Sequence, residues 1–393
     1  MSIERTIRNI RGDHSIWLIV LFLGLFSILA VYSATGSMAY LSHGKQAEVY
    51  LIKQMLFMIL GFVMMYVAYK LEYMQYAKIA PVLLIISIPL LIYTISYGTQ
   101  INDARRWITI PWIDQTFQTS DFARLALILY LARSIAKKQD VIKGFKSAFV
   151  PLFLPVIIVV GLIAPSDLST AGLLFLTSLL LMFIGRVKMK YIILLIALGA
   201  VVLSILILIG NFFPEAVRLE TWISRIHEFF YNTDGGHQIQ QSKIAIAHGG
   251  IFGVGPGNSL QRNYLPYPYA DFIYAIIVEE YGLIGGILII GLYLFLLIRS
   301  ISIVTKSPKT FGAMLAMGLT LNIVVQAFAN IAVSVHLLPV TGLTLPMVSV
   351  GGSSILITSV SLGIILSVSR YAEQAQKEKI ALQEIEELNE DNN

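Results

Sequence analysis

The chain has 393 residues, of which 56% are hydrophobic and 13% charged, with a formal net charge of +5 and no cysteine. Soluble domains carry roughly 25% charged residues, so this deficit excludes an ordinary water-soluble fold. Without cysteine, disulfides and thiolate metal sites are excluded as well.

Apolar runs of 18 or more residues recur along the whole chain, each long enough to cross a hydrocarbon core of about 30 Å. The expected fold is therefore all-α and integral to the membrane. About ten spans are predicted, at about 15–33, 51–69, 77–97, 119–135, 149–164, 169–185, 189–210, 271–298, 311–334 and 351–369. The first follows Arg5, Arg8 and Arg11. It is longer than a signal-peptide core and further spans follow it, so it reads as an uncleaved helix. The fifth and sixth are separated only by Pro165-Ser166-Asp167-Leu168. Basic residues cluster before the first span (Arg5, Arg8, Arg11) and after the fourth (Arg133, Lys137, Lys138, Lys143, Lys146). They cluster again after the sixth (Arg186, Lys188, Lys190), the eighth (Arg299, Lys306, Lys309) and the tenth (Arg370, Lys377, Lys379). All fall on one side, which the positive-inside rule makes cytoplasmic, so both termini are expected there. Residues 1–370 form the polytopic domain and 371–393 a charged cytoplasmic tail ending in an acidic run, Glu384 to Asp391. On the outer side lie a loop at about 98–118, the turn at Pro165, a long loop at about 211–270 between helices seven and eight, and the stretch His336 to Val350.

Several outer residues carry chemistry. Arg105 and Arg106, in Asn102-Asp103-Ala104-Arg105-Arg106-Trp107, resist the positive-inside trend. Either they bind an anion, for which arginine suits bidentate phosphate contacts, or they stack on Trp107 or Trp112. Asp121 and Arg124 are three apart on one helical face and are able to neutralise each other. In the long loop, Leu219, Trp222, Ile223, Ile226, Phe229 and Phe230 share a helical face that would lie in the membrane interface, as an anchor or as a holder of a lipid substrate. Gly249 to Ser259 is glycine-rich, which serves phosphate approach or turns needing positive φ. It lacks a Walker lysine, so no nucleotide site is read there. Asp271 stands where the chain re-enters the membrane. A partly desolvated carboxylate there is tunable as a base, and an N-cap is the competing role. Glu279 and Glu280 lie roughly 12–13 Å deeper along the same helix. Acids in an apolar span default to functional or paired roles.

These residues fall into six ordered blocks that resemble the SEDS family of peptidoglycan glycosyltransferases, the FtsW, RodA and SpoVE group, over nearly the whole chain. Ala104-Arg105-Arg106-Trp107 is similar to the family's A-R-R-W, and Phe117 to Ala126 to F-Q-P-S-E-x-A-K-L-A. Pro165 to Thr170 resembles P-D-L-G-T. Gln238 to Ser242 with the glycine-rich run resembles Y-Q-x-x-Q-S…G-x-G-x-G-x-S. Leu265 to Ile273 with Glu279-Glu280-Tyr281-Gly282 resembles L-P-x-x-x-x-D-F-I…E-E-x-G, and Pro339 to Ser354 the signature near the last span. Thr119 stands where the family has proline, Asp121 for glutamate, Arg124 for lysine and His237 for tyrosine. Arginine in place of lysine removes a group able to move a proton.

The resemblance implies polymerisation of lipid II into β-1,4 glycan strands at the outer face of a bacterial cytoplasmic membrane. An inverting transfer would proceed from undecaprenyl pyrophosphate, with Asp271 as catalytic base. Arg105, Arg106, Asp121, Arg124, Asp167, Arg225, Gln241, Glu279, Glu280 and Ser353 are the expected substrate-binding positions. Arginines or a divalent ion, Mg or Mn, would stabilise the leaving pyrophosphate, and no organic cofactor is implied. Expected partners are lipid II, a class B penicillin-binding transpeptidase and other division proteins, not nucleic acid. Tyr264-Leu265-Pro266 and Leu343 to Pro346 look more like the FtsW branch than the RodA branch, whereas Pro339 to Gly342 also occurs in RodA-like chains. Division at the septum is therefore favoured over elongation. A lipid II flippase using Glu279 and Glu280 is the rival from another class. Transporter sites lie near the midplane, whereas the polar residues here cluster toward the outer side.

Overall fold

The computed structural model describes residues 12–41, 46–101, 104–110, 115–139, 144–145, 150–214, 217–232 and 235–390. Arg5, Arg8, Arg11, Asn102, Asp103, Trp112, Lys143 and Lys146 lie outside the described residues.

Helices dominate: α1 (His14–Leu41), α2 (Gln46–Lys70), α3 (Tyr73–Tyr97), α4 (Thr119–Lys137), α5 (Val150–Ile163), α6 (Leu168–Ile184), α7 (Met189–Phe212), α8 (Leu219–Tyr231), α9 (His237–Gly249), α10 (Ile273–Lys306), α11 (Thr310–Ser334) and α12 (Gly352–Glu390). A helix stands at every predicted span. Among the described residues, seven helices are long and apolar enough to cross a bilayer. The others at predicted spans are α4, which carries Asp121, Arg124, Arg133 and Lys137, and the shorter α5 and α6. In hydrocarbon the helix satisfies its own backbone polar groups, which is why apolar length translates so directly into helix.

The loop expected at about 98–118 is a three-stranded antiparallel sheet, β1 (Thr99–Ile101), β2 (Ala104–Ile110) and β3 (Gln115–Gln118). Trp107 pairs with Gln118 and Ile110 with Gln115. Trp107, Ile108, Thr109 and Ile110 are strong strand formers, and this run was too short to register against the surrounding spans.

The core runs along the bundle axis, where α12 packs on α2, α3 on α4, and α11 on both α4 and α10. By contrast α7 stands at the periphery with most of its apolar side chains turned outward. At one end of the bundle the start of α1 meets α10 and α12. Arg299 pairs with Asp13 at 2.6 Å, and the Asp13 and Gly12 N–H groups donate to Ser369 Oγ and Glu373 Oε2. The helix α12 continues unbroken past Arg370 to Glu390. The opposite end carries the sheet, α8 and α9.

Helix α10 is interrupted. Gly282 adopts φ 68° and ψ −171°, which breaks the hydrogen-bond ladder. The glycine-rich segment after α9 closes the gap. Val254 and Gly255 N–H donate to the carbonyls of Glu279 and Glu280 at 3.0 Å each, and Leu283 and Ile284 N–H donate to those of Gly250 and Ile251. Two carbonyls before the break and two N–H groups after it thereby regain partners, as a low-dielectric setting favours. Gly250, Gly253, Gly255 and Gly257 all have positive φ, so the glycine run serves turn geometry.

Candidate active site

Side chains alternate faces along a strand, so neighbours on β2 point oppositely. Arg105 is exposed and its Nη1 donates to the Ser96 carbonyl at 3.4 Å. Arg106 turns inward, donating from Nε to the Ser166 carbonyl at 2.8 Å and pairing through Nη1 with Asp167 Oδ2 at 3.0 Å. Asp167 is buried and caps α6, its Oδ1 accepting from Thr170 N–H at 3.0 Å. One carboxylate thus orders both the α5–α6 turn and the arginine.

Arg106 and Asp167 form one wall of a cavity of about 90 Å³. The amphipathic α8 supplies the opposite wall through Thr221, Trp222, Arg225 and Ile226, with Arg218 just before it and Pro339, Val340 and Thr341 closing the rim. Leu219 and Trp222 of α8 are buried, whereas Ile223 and Phe230 of the same helix point outward. Arg225 is half-buried and donates from Nη1 to the Thr341 carbonyl at 3.4 Å. Burial and the neighbouring Arg106 push its pKa down, while Asp167, Asp271 and Glu228 pull it back up. A second cavity of about 10 Å³ adjoins the first across Arg225, Pro339 and Val340, bounded by Glu228, Phe229 and His336. Burial, then Lys243, lowers the pKa of His336 against the pull of Glu228.

Asp271 sits two residues before α10. The N-cap of that helix is Phe272, and no side chain caps it, so the cap role expected as an alternative for Asp271 is not realised. Its backbone is fastened instead. The Asp271 carbonyl accepts from Asn330 Nδ2 at 2.7 Å, Ser349 Oγ donates to the Ala270 carbonyl at 2.5 Å, and Val350 N–H to that of Tyr269 at 2.9 Å. Oδ1 of the carboxylate is enclosed and has no hydrogen-bond partner. Burial pushes its pKa up to about 6, against a bond from its own backbone amide and the charge of Arg225. Asp271 does not line the cavity itself; Arg225 is the wall residue whose charge reaches it.

The other expected substrate positions separate. Asp121 and Arg124 are buried and paired at 2.7 Å. Arg124 donates onward to Gln326 Oε1 at 2.7 Å, and Gln326 to the Thr344 carbonyl at 2.9 Å. This chain ties α4 to α11 and the segment before α12 and lies off the cavity wall, because ions in low dielectric find each other first. Ser353 Oγ accepts from Gln118 N–H at 3.1 Å, joining β3 to α12. Gln241 is half-buried on α9 and outside both cavity linings. Glu279 and Glu280 are buried and hold the loop that closes the break in α10, also away from the cavity. Residues not anticipated are Arg218 on the wall, and Gln326 and Asn330 behind it. The latter two are four apart on one face of an apolar span, a signal readable as buried polar function.

Among the described residues no three His, Asp or Glu side chains gather to hold an ion by themselves. Asp167, the acid on the wall of the larger cavity, is engaged by Arg106 and the Thr170 N–H. The cations that the cavity itself supplies are the guanidinium groups of Arg106, Arg218 and Arg225.

Fold and site together define a polytopic helical membrane protein with an arginine-lined pocket beside a half-buried carboxylate. The chain belongs to the FtsW/RodA/SpoVE family of cell cycle proteins, whose family model matches residues 13–374. It is 35% identical over 369 residues to the Probable peptidoglycan glycosyltransferase FtsW of Geobacter sp. (strain M18), covering 92% of this chain and 98% of that one. Stage V sporulation protein E of Bacillus subtilis (strain 168) is 32% identical over 374 residues, covering 93% and 99%. Among solved structures, one chain of a peptidoglycan synthase complex superposes with a TM-score of 0.72 at 23% identity, covering 92% of this chain and 99% of that one. The Rod shape determining protein RodA of Thermus thermophilus gives 0.66 at 23% identity, covering 91% and 97%. At such identities the structural likeness speaks for the fold.

Proposed function

We propose that this protein is a peptidoglycan glycosyltransferase of cell division, polymerising lipid II at the outer face of the cytoplasmic membrane beside a class B penicillin-binding transpeptidase. The observation that carries this reading is the half-buried carboxylate of Asp271, whose Oδ1 is enclosed and without a partner, and whose pKa stands at about 6. A general base works best with a pKa near the operating pH. Membership of a family whose relatives bear the glycosyltransferase name supports the reaction class.

In this reading Asp271 takes the proton of the acceptor's 4-hydroxyl as that oxygen bonds to the anomeric carbon of the donor. The carbon–oxygen bond to undecaprenyl pyrophosphate breaks, and its electron pair leaves with the pyrophosphate. Attack from the face opposite the leaving group inverts the anomeric carbon. Arg106 and Arg225 stand where a developing pyrophosphate charge needs fixed cations. The amphipathic α8 keeps the cavity at the membrane surface, where prenyl tails stay in lipid while the sugars react outside. With the cavity outside, the shared end of α1 and α12 is cytoplasmic.

The flippase alternative draws no support from the break in α10. Transporters expose backbone carbonyls at such breaks, whereas here loop backbone occupies them. The test is polymer formation from labelled lipid II by the purified protein with its transpeptidase. Glycan chains are expected; lipid II movement across vesicles without polymer would refute the proposal.

A further inference from the structure

Glu279 and Glu280 are the two acids of α10 that this reaction leaves unused. Glu279 is wholly enclosed. Its carboxylate accepts the N–H groups of Leu260 at 3.1 Å and Gln261 at 3.3 Å and the hydroxyl of Ser259, and stands 3.0 Å from Nδ1 of His248. Successive N–H groups of this kind make an anion nest, and here the anion is the protein's own. Glu280 grips the other side, accepting from the hydroxyl of Ser33 on α1. Arg262 Nη1 donates to the Ser33 carbonyl at 3.1 Å and hydroxyl at 3.3 Å. The backbone carbonyls of the same two glutamates carry the bonds from Val254 and Gly255. The short half-helix from Ile273 to the break at Gly282 is therefore clamped at its far end, and Asp271 stands at its near end.

We infer that Glu279 is a positioning residue for Asp271: it locks the half-helix to the glycine-rich loop and so holds the carboxylate at its distance from Arg225. This rests on the functional reading above. Glu279 touches no cavity wall, so its removal should leave substrate binding in place. A displacement of about 1 Å at the reacting group costs on the order of 100-fold in rate. Loosening the clamp would also admit water to Asp271 and let its pKa relax toward the ordinary carboxylate range.

The test is Glu279→Gln in the full chain, which puts an amide donor against the nest's donors. Expected are a kcat at least about tenfold lower with KM within about twofold, and an acidic limb of the pH–rate profile displaced to lower pH by about half a unit or more. Loss of folded protein alone would lower the active fraction without moving the limb. An unmoved limb, or an unchanged kcat, overturns the inference. Should Glu279→Gln fail to accumulate, Ser259→Ala keeps the backbone donors and carries the same test, with a smaller fall in kcat and the same direction of shift. A readout free of catalysis separates this inference from the function on which it rests. The chain has no cysteine, so nitroxides at Phe252→Cys and Tyr267→Cys, both exposed, report the glycine-rich loop against the segment that enters the upper half of α10. Glu279→Gln should broaden their distance distribution, and an unchanged distribution overturns the clamp. An inactive wild type with a broadened distribution would sink the functional reading alone.

Discussion

Replacing Asp271 by asparagine should abolish polymerisation while leaving the fold as stable or more stable. The rise of its pKa from the ordinary 3.8 to about 6 in the folded state corresponds to about 3 kcal/mol of penalty on the charged form. The sign follows from linkage. The native state holds this proton more tightly than the unfolded chain, so stability falls as pH rises from about 4 to about 6 and the penalty is complete above that. Asparagine carries no charge and escapes it, so Asp271→Asn should gain up to about 3 kcal/mol at neutral pH and nothing below about pH 4. Polymerisation should drop on the order of 100- to 10,000-fold, since an amide cannot take the proton. Wild-type rate should itself fall on the acidic side near pH 6, where the base becomes protonated. The assays are glycan chain formation from lipid II and thermal unfolding in detergent, each across pH 4 to about 8. Near-normal polymer would refute the base, and a variant less stable at neutral pH would refute the burial argument behind it.

Arg106→Ala strands the buried Asp167 and should cost about 3 kcal/mol together with activity; Arg105→Ala, at an exposed side chain turned from the cavity, should stay within about 0.5 kcal/mol and near full activity. Equal effects of the two in unfolding and polymerisation assays would contradict the opposed strand faces. Gly282→Ala meets both a positive φ and the Ile251 carbonyl, so it should cost well over 1 kcal/mol and lower membrane accumulation measured by immunoblot. On a cysteine-free background, Asn232→Cys should react with an impermeant thiol reagent from outside intact cells and Lys379→Cys should not; the reverse pattern would invert the proposed orientation.

The membrane architecture was legible in the sequence because the bilayer acts as a uniform solvent: about 20 apolar residues answer to it one stretch at a time, whatever their neighbours do. The predicted spans accordingly meet helices, and the motifs at Arg106, Asp167, Arg225 and Asp271 lie about one electrostatically coupled site. Facing and partnership were not legible, because they depend on elements distant in the chain. Whether Arg105 or Arg106 enters the cavity is decided by the register of β2 in its sheet, where Arg105 stands opposite Gln100 of β1 and Trp107 opposite Gln118 of β3. That Arg124, paired with Asp121, also reaches Gln326 depends on α11, some 200 residues away. Only the packed loop shows that Glu279 and Glu280 serve the break at Gly282. Phe272, rather than Asp271, is the N-cap of α10; Asn330, Ser349 and Val350 pin the preceding backbone, and the carboxylate is left unpaired at Oδ1 with its proton tightly held.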